Sequence, residues 1–159
     1  MIDFHPWLRR PRVLLLLGLA IREAFAPWTG HPFDFEIWIR NAYFVSQGAN
    51  PYATFMGPVP GLSFAFLQSD LPSVGYLPTW SLLASGLYRI YLISPVSRFV
   101  FYFLLKQPPI LADLCVGWLL LRAGEKWTLS RDTSIDLLRF WMFFPYPIII
   151  TAIWGQFDS

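Results

Sequence analysis

The stretch FVFYFLLKQPPILADLCVGWLLL, residues 99–121, decides the fold class. As a helix it extends about 34 Å, which is enough to cross the hydrocarbon core of a bilayer. Two further apolar runs stand on either side of it, VLLLLGLAIREAFAPW at 13–28 and LLRFWMFFPYPIIITAIW at 137–154. The three runs predict an all-α integral membrane protein with spans at about 13–28, 99–121 and 137–154, within a single membrane domain covering residues 1–159.

The composition agrees with a membrane protein. Hydrophobic residues make up 55% of the 159 residues and charged residues only 14%, a balance too apolar for one soluble domain of this length. Apart from RRPR at 9–12, the basic residues are spread along the chain, so nucleic acid is a disfavoured partner. The single cysteine, Cys115, excludes an intramolecular disulfide.

Positive charges before the first span predict the topology. The arginines at 9, 10 and 12 favour a cytoplasmic N-terminus, which places residues 29–98 on the outer side as one long loop. A cleaved signal peptide is the alternative, with AFA at 24–26 as the cleavage site. Arg22 and Glu23 disfavour that alternative, and we expect both to anchor the end of the span at the membrane interface.

The outer loop contains two predicted helices. DFEIWIRNAYFVSQG predicts an amphipathic helix at 34–47, with Asp34 as its N-cap and Gly48 as its stop. YLPTWSLLASGLYRIYLI predicts a second helix at 76–93 that is re-entrant or interfacial, or else crosses the membrane. The re-entrant or interfacial alternative fits better, because the basic residues around the last loop then lie on the cytoplasmic side.

Four charged residues are candidates for chemistry. Asp34 and Glu36 stand at the start of the outer-loop helix, and the structural alternatives are an N-cap for Asp34 and an i,i+4 ion pair of Glu36 with Arg40. Lys106 and Asp113 lie in the middle span, where a charge needs a partner or a task. Their separation of about 10 Å along a helix disfavours a direct ion pair, so Lys106 either snorkels to the interface or meets a lipid phosphate.

Several common catalytic motifs are missing from the sequence. There is no phosphate-binding glycine loop, no GxSxG, no HExxH and no Cys/His cluster, which disfavours soluble nucleotide enzymes. His5 and His31 are isolated histidines without ligand spacing, so no metal site is predicted.

Four segments, taken in order, resemble a known family. They are HPFDFEIWIRNAYFVSQGANPY at 31–52, GYLPTW at 75–80, LLKQPPILADLCVGWLLL at 104–121 and FFPYPIIITAIWGQFDS at 143–159. Together they resemble the N-terminal part of membrane glycosyltransferases of the GT-C superfamily. The likeness extends over residues 13–159. It is to the polyprenyl-phosphate-dependent mannosyltransferases, including the catalytic subunit of GPI mannosyltransferase, and to the related lipid-linked glucosyltransferases.

The resemblance implies a multi-span helical bundle with a long first outer loop, active on the extracytoplasmic or lumenal face. Its activity would be inverting transfer of a hexose, with mannose preferred, from a polyprenyl-phosphate donor to a lipid-linked or protein acceptor. Asp34 matches the family's base, with Glu36 beside it, and Lys106 matches the cation at the donor phosphate. The positions matched to substrate binding are Asp113, Trp154, Gly155, Gln156 and Asp158.

The chemistry of such a transfer suits these residue types. Attack of a hydroxyl on the anomeric carbon develops positive charge on the sugar and negative charge on the leaving phosphate. A carboxylate can take the proton of the acceptor hydroxyl, and a cation can stabilise the phosphate. A divalent cation on Asp34, Glu36 or Asp158 is compatible with oxygen ligation, but the superfamily varies and no cofactor is assigned.

Two features depart from the family pattern. Phe144 stands before Pro145 where relatives often carry Asn, and family members are several times longer. We therefore expect an N-terminal portion that is inactive on its own.

The competing functions are a membrane transporter subunit, with Lys106 and Asp113 on an ion path, and a non-catalytic membrane scaffold.

Overall fold

The computed structural model describes residues 6–52, 55–72, 77–127 and 130–155, and this part of the chain is mostly helical. The helices are α1 (Pro11–Phe25), α2 (Pro32–Ser46), α3 (Pro78–Ile93), α4 (Arg98–Lys126) and α5 (Arg131–Phe143). A 3₁₀ turn, Pro6–Arg9, precedes α1, and α5 is followed by a helical turn, Pro145–Pro147, and a π-helix, Ile148–Trp154. Two short antiparallel strands, β1 (Phe55–Met56) and β2 (Leu71–Pro72), pair in the long loop between α2 and α3.

Proline sets the start of the first three helices. Pro11, Pro32 and Pro78 each occupy the first turn, where the missing N–H would have had no helical partner in any case. Because α2 begins at Pro32, its N-cap is His31, and Asp34 lies inside the first turn. The predicted N-cap role of Asp34 is therefore wrong. After α2, Gly48 has a φ of +85°, a left-handed conformation that favours glycine.

Two helical stretches of the described chain are long and apolar enough to cross a membrane. They are Arg98–Lys126, with 29 residues, and Arg131–Trp154, with 24 residues, and they contain the predicted spans 99–121 and 137–154. The first predicted span, 13–28, falls largely on α1, which has 15 residues. That length corresponds to about 22 Å, less than the thickness of the hydrocarbon core, so a membrane crossing there stays a prediction.

The chain divides into two compact units. The loop unit comprises Gly30–Leu105, and the bundle unit comprises the described residues up to Thr29 together with those from Lys106 onward. In the loop unit α2 packs on α3, with the ring centroids of Trp38 and Trp80 4.4 Å apart. Aromatic rings that pack at such distances stabilise an interface beyond their buried area.

Helix α2 is buried on all sides in its central part, residues 35–42. One side packs into the aromatic core of the loop unit, and Ile37 on another side packs with Met56 and Leu71 of the two strands. This arrangement differs from the one-sided amphipathic helix predicted at 34–47. The reason is tertiary, since the loop between α2 and α3 covers the side that the sequence pattern leaves to solvent or headgroups.

The bundle unit packs α1, α4 and α5 around Met142. A Cβ atom added at Gly18 would lie 2.8 Å from Met142 Sδ, and one added at Gly117 would lie 2.5 Å from Met142 Cε. These distances are shorter than normal contacts, so the two glycines let the methionine side chain approach both helices. Small residues at helix contacts are typical of packing within membranes.

Candidate functional site

Asp34 lies in the first turn of α2, at the edge of the aromatic core. Its side chain is partly exposed, and its Oδ2 lies 3.0 Å from His31 Nδ1. The neighbouring Phe35 is buried in the loop unit. A carboxylate is favoured at this end of a helix by the unpaired N–H groups of the first turn. Asp34 is therefore a partly exposed carboxylate beside His31.

Glu36, two residues later, has a different environment. It is fully buried; its Oε1 accepts a hydrogen bond from Arg40 Nε at 2.7 Å and its Oε2 accepts one from Phe64 N at 3.0 Å. This is the i,i+4 ion pair that the sequence allows as an alternative, now inside the protein. Both oxygens of Glu36 hold the fold, which leaves Asp34 as the more accessible of the two carboxylates.

Arg40 joins α2 to the loop that follows it. Besides Glu36, its guanidinium donates to Met56 O at 2.7 Å, to Ser69 O at 2.6 Å and to Leu67 O. The side chain is fully buried. Charge-assisted bonds to carbonyl groups are stronger than neutral ones, so Arg40 fixes the 55–72 segment against α2.

Arg22 and Asp113 form a buried ion pair between α1 and α4. Arg22 Nε donates to Asp113 Oδ2 at 2.6 Å, and the two side chains are 0% and 3% exposed. Arg22 Nη1 also donates to Gly18 O at 2.9 Å and to Met142 O at 3.0 Å. The carboxylate of α4 therefore holds Arg22 inside the bundle unit, whereas the sequence predicts an anchor at the membrane interface.

Lys106 is buried where the end of the π-helix meets the segment after α1. Its Nζ donates to Ala152 O at 2.7 Å, to Thr29 Oγ1 at 2.9 Å and to Thr29 O. An ammonium group has three donors, and these contacts use them. A cation at a helix carboxyl end also interacts favourably with the last carbonyls, so Lys106 in this arrangement stabilises the end of the last helix.

The residues matched to the last substrate-binding motif are only partly described. Trp154 is 39% exposed, and Gly155 has a φ of 84° and donates its N–H to Ile150 O at 2.9 Å. Gln156 and Asp158 lie outside the described residues. The left-handed glycine ends the helix and sets the direction in which the chain continues.

Three candidate residues, Asp34, Asp113 and Lys106, have partners in the structure that the sequence pattern does not assign. His31 contacts Asp34, Arg22 pairs with Asp113, and Thr29 holds Lys106. The spacing of three between His31 and Asp34 was a usable signal, since it places them on one side of a helical turn. Among the described residues, no group of three or more His, Cys, Asp or Glu side chains could hold a metal ion.

Replacing Lys106 with methionine is expected to lower the free energy of unfolding by about 1–3 kcal/mol, because buried carbonyl groups lose their donor. Thermal unfolding of the purified chain in detergent, without any added lipid phosphate, would measure this. The control is Lys126→Met, which removes an exposed lysine from the same helix and should leave stability unchanged. Equal stability of both variants would contradict a stabilising role for the Lys106 contacts.

The fold and site define a mostly helical protein with two helices able to cross a membrane and an accessible carboxylate on α2. Comparison with known proteins adds no relative: no protein-family model, no curated protein and no solved structure matches this chain. The resemblance to GT-C glycosyltransferases therefore rests on the sequence motifs.

Proposed function

We propose that this chain acts in a membrane-embedded, inverting hexosyltransferase. It uses a polyprenyl-phosphate sugar, with mannose as the first candidate, and a lipid-linked or protein acceptor on the extracytoplasmic or lumenal face. Asp34 is the base. The observation that carries the proposal is the accessible carboxylate of Asp34 at the head of α2, within a motif that resembles the family's first outer loop.

The environment of Asp34 supports the role of base. The Asp34 carboxylate lies 3.0 Å from His31 Nδ1, and the adjacent Phe35 belongs to a buried aromatic core. A positioned carboxylate next to an apolar surface can accept a proton as the bond to carbon forms. In the proposed reaction the acceptor oxygen bonds to the anomeric carbon, Asp34 takes the hydroxyl proton, and the bond from sugar to phosphate oxygen breaks.

The membrane setting supports the donor class. A polyprenyl-phosphate donor keeps its lipid in the bilayer and presents its sugar at the surface, and two stretches of this chain are long and apolar enough to cross a membrane. We further propose that the N-terminus is cytoplasmic, which places the loop unit on the outer face by the distribution of basic residues.

The remaining matched residues are proposed to act in two ways. Trp154, Gly155, Gln156 and Asp158 remain candidates for substrate contact through their family match. Lys106 and Asp113 are better suited to a positioning role, because both are buried and held by partners within the bundle unit. Lys106 would contact the donor phosphate only after releasing Thr29 and Ala152.

The test is sugar transfer from a radiolabelled polyprenyl-phosphate mannose, with membranes containing the full polypeptide that the gene encodes. Asp34→Asn is expected to lower the transfer rate by about 10²–10⁴, the range for loss of a general base. Asp70→Asn, which alters an exposed carboxylate of the same unit, is the matched control and should transfer at the unaltered rate. Transfer that survives in Asp34→Asn would contradict the assignment of the base.

A non-catalytic membrane scaffold is the second candidate function. It is favoured by the internal pairing of Glu36, Asp113 and Lys106, each of which stabilises the fold. The scaffold predicts no sugar transfer by the unaltered protein from either a mannose or a glucose donor. The same assay, run with both donors, therefore separates the two functions.

A further inference from the structure

The carboxyl end of α5 borders a groove on the surface of the bundle unit. Pro145 has no N–H and disfavours a helical conformation of the residue before it. Helix α5 therefore ends at Phe143, and Phe144 is extended, with φ −66° and ψ 127°. The groove beside this break encloses about 350 Å³, which is within the range of small-molecule sites. Its lining residues are Asp136, Arg139, Phe140, Phe143, Phe144 and Pro145.

Half of the residues that line the groove are phenylalanines. The rings of Phe140 and Phe144 stack with their centroids 4.8 Å apart and their planes 22° from parallel, and the two residues are 60% and 40% exposed. The backbone joins them as well, because Phe144 N donates to Phe140 O at 2.8 Å. The face of an aromatic ring attracts cations, and proteins bind quaternary ammonium groups in this way. The aromatic lining therefore suits an alkylated ammonium group.

The groove also contains a pair of opposite charges. Asp136 Oδ1 accepts a hydrogen bond from Arg139 Nη1, and the two side chains are 64% and 20% exposed. An exposed ion pair of this kind contributes little to stability. A carboxylate attracts an ammonium group, and a guanidinium group binds phosphate through parallel hydrogen bonds. The pair thus gives the groove one contact for each sign of charge.

The two charges decide between the classes of ligand. A phosphate alone would be attracted by Arg139 and repelled by Asp136, and a cation alone would meet the reverse. An apolar ligand would cover both charges without replacing their contacts with water. A molecule that carries an ammonium group and a phosphate meets both charges favourably, and its ammonium group also meets the aromatic rings.

We propose that the groove binds an ammonium–phosphate zwitterion of the phosphocholine type. Arg139 contacts the phosphate, while Asp136 and the rings of Phe140 and Phe144 contact the ammonium group. The proposal does not depend on sugar transfer. The same chemistry is supplied by soluble phosphocholine and by the headgroup of phosphatidylcholine. Since α5 belongs to a stretch long and apolar enough to cross a membrane, both sources are tested.

The first test is isothermal titration calorimetry of the full chain in a maltoside detergent with phosphocholine. The titration is repeated with choline alone and with inorganic phosphate alone, each of which supplies one of the two charges. Arg139→Met removes the phosphate contact, and Phe140→Leu keeps an apolar side chain but removes an aromatic ring. Arg131→Met, which alters an exposed arginine of the same helix, is the matched control. Circular dichroism confirms that each variant keeps its helical content.

We expect phosphocholine to bind about tenfold more tightly than choline or phosphate alone. Arg139→Met should weaken binding about tenfold, through the loss of a charged hydrogen bond, and Phe140→Leu should weaken it several-fold, through the loss of a cation–π contact. Arg131→Met should bind as the unaltered chain does. Inorganic phosphate that binds as tightly as phosphocholine would overturn the proposal, and so would unchanged binding by Arg139→Met and Phe140→Leu.

A second measurement separates the two sources of the zwitterion. Native mass spectrometry compares the retention of phosphatidylcholine and phosphatidylglycerol by the full chain from mixed micelles. Preferential retention of phosphatidylcholine that is lost in Arg139→Met identifies a lipid headgroup as the ligand. Binding of phosphocholine without such a preference identifies a soluble zwitterion. If phosphocholine does not bind and phosphatidylcholine is not preferred, the proposal is wrong.

Discussion

Arg22→Met is expected to lower the free energy of unfolding by about 3–5 kcal/mol, the cost of leaving one member of a buried ion pair alone. Arg22 Nε donates to Asp113 Oδ2 at 2.6 Å, and neither side chain is more than 3% exposed. The substitution leaves the Asp113 carboxylate uncompensated and removes the donor to Met142 O. Thermal and denaturant unfolding in detergent would measure the loss.

Two further variants make this prediction specific. Arg12→Met removes an exposed arginine from the same helix and should change stability little. The double variant Arg22→Met with Asp113→Leu should recover most of the lost stability, because neither charge remains buried. A double variant as unstable as the sum of both single variants would contradict an ion pair as the source of the effect.

Arg40→Met is expected to have an effect of similar size, about 3–5 kcal/mol, with a different local result. The substitution leaves the buried Glu36 carboxylate without its ion-pair partner. It also removes the donors to Met56 O, Leu67 O and Ser69 O. Since these carbonyl groups belong to the 55–72 segment, that segment should become sensitive to limited proteolysis. Mass spectrometry of the fragments would locate the first cleavage.

The matched control for Arg40 is Arg89→Met, which removes an exposed arginine of the loop unit that has one bond to Ser46 O. Its proteolysis pattern should match that of the unaltered chain. The double variant Arg40→Met with Glu36→Leu should recover less stability than the corresponding change at Arg22 and Asp113, because three loop carbonyls still lack a donor. Full recovery would show that the loop does not depend on Arg40.

Helix positions could be anticipated because the signals that set them are local. Pro32 and Gly48 are neighbours of the segment they delimit, and α2 occupies Pro32–Ser46 where the pattern predicts a helix at 34–47. The long apolar run at 99–121 likewise lies inside α4. Its length alone allows it to cross a membrane.

The partners of the buried charges could not be anticipated, because they depend on distant parts of the chain. Arg22 and Asp113 are 91 residues apart in sequence, and Lys106 meets Ala152 across 46 residues. The rule that a charge within a membrane segment has a partner applied to Asp113. The same rule applies to Arg22 in the first apolar run, and its opposite charge makes it a candidate partner for Asp113.

The roles of Asp34 and Glu36 separate only in three dimensions. In sequence they are two carboxylates at the head of one helix, but Glu36 is covered by Arg40 and the Phe64 backbone, while Asp34 remains partly exposed beside His31. A one-dimensional pattern cannot show that the following loop folds over Glu36 and not over Asp34.

The assignment of Asp34 as base is tested most directly by the sugar-transfer rate per folded molecule of Asp34→Asn, measured beside its melting temperature. We predict a rate lowered by about 10²–10⁴ at an unchanged melting temperature, since the side chain is partly exposed and its loss does not strand a buried charge. An unchanged transfer rate, or a lower rate explained entirely by unfolding, would contradict the assignment.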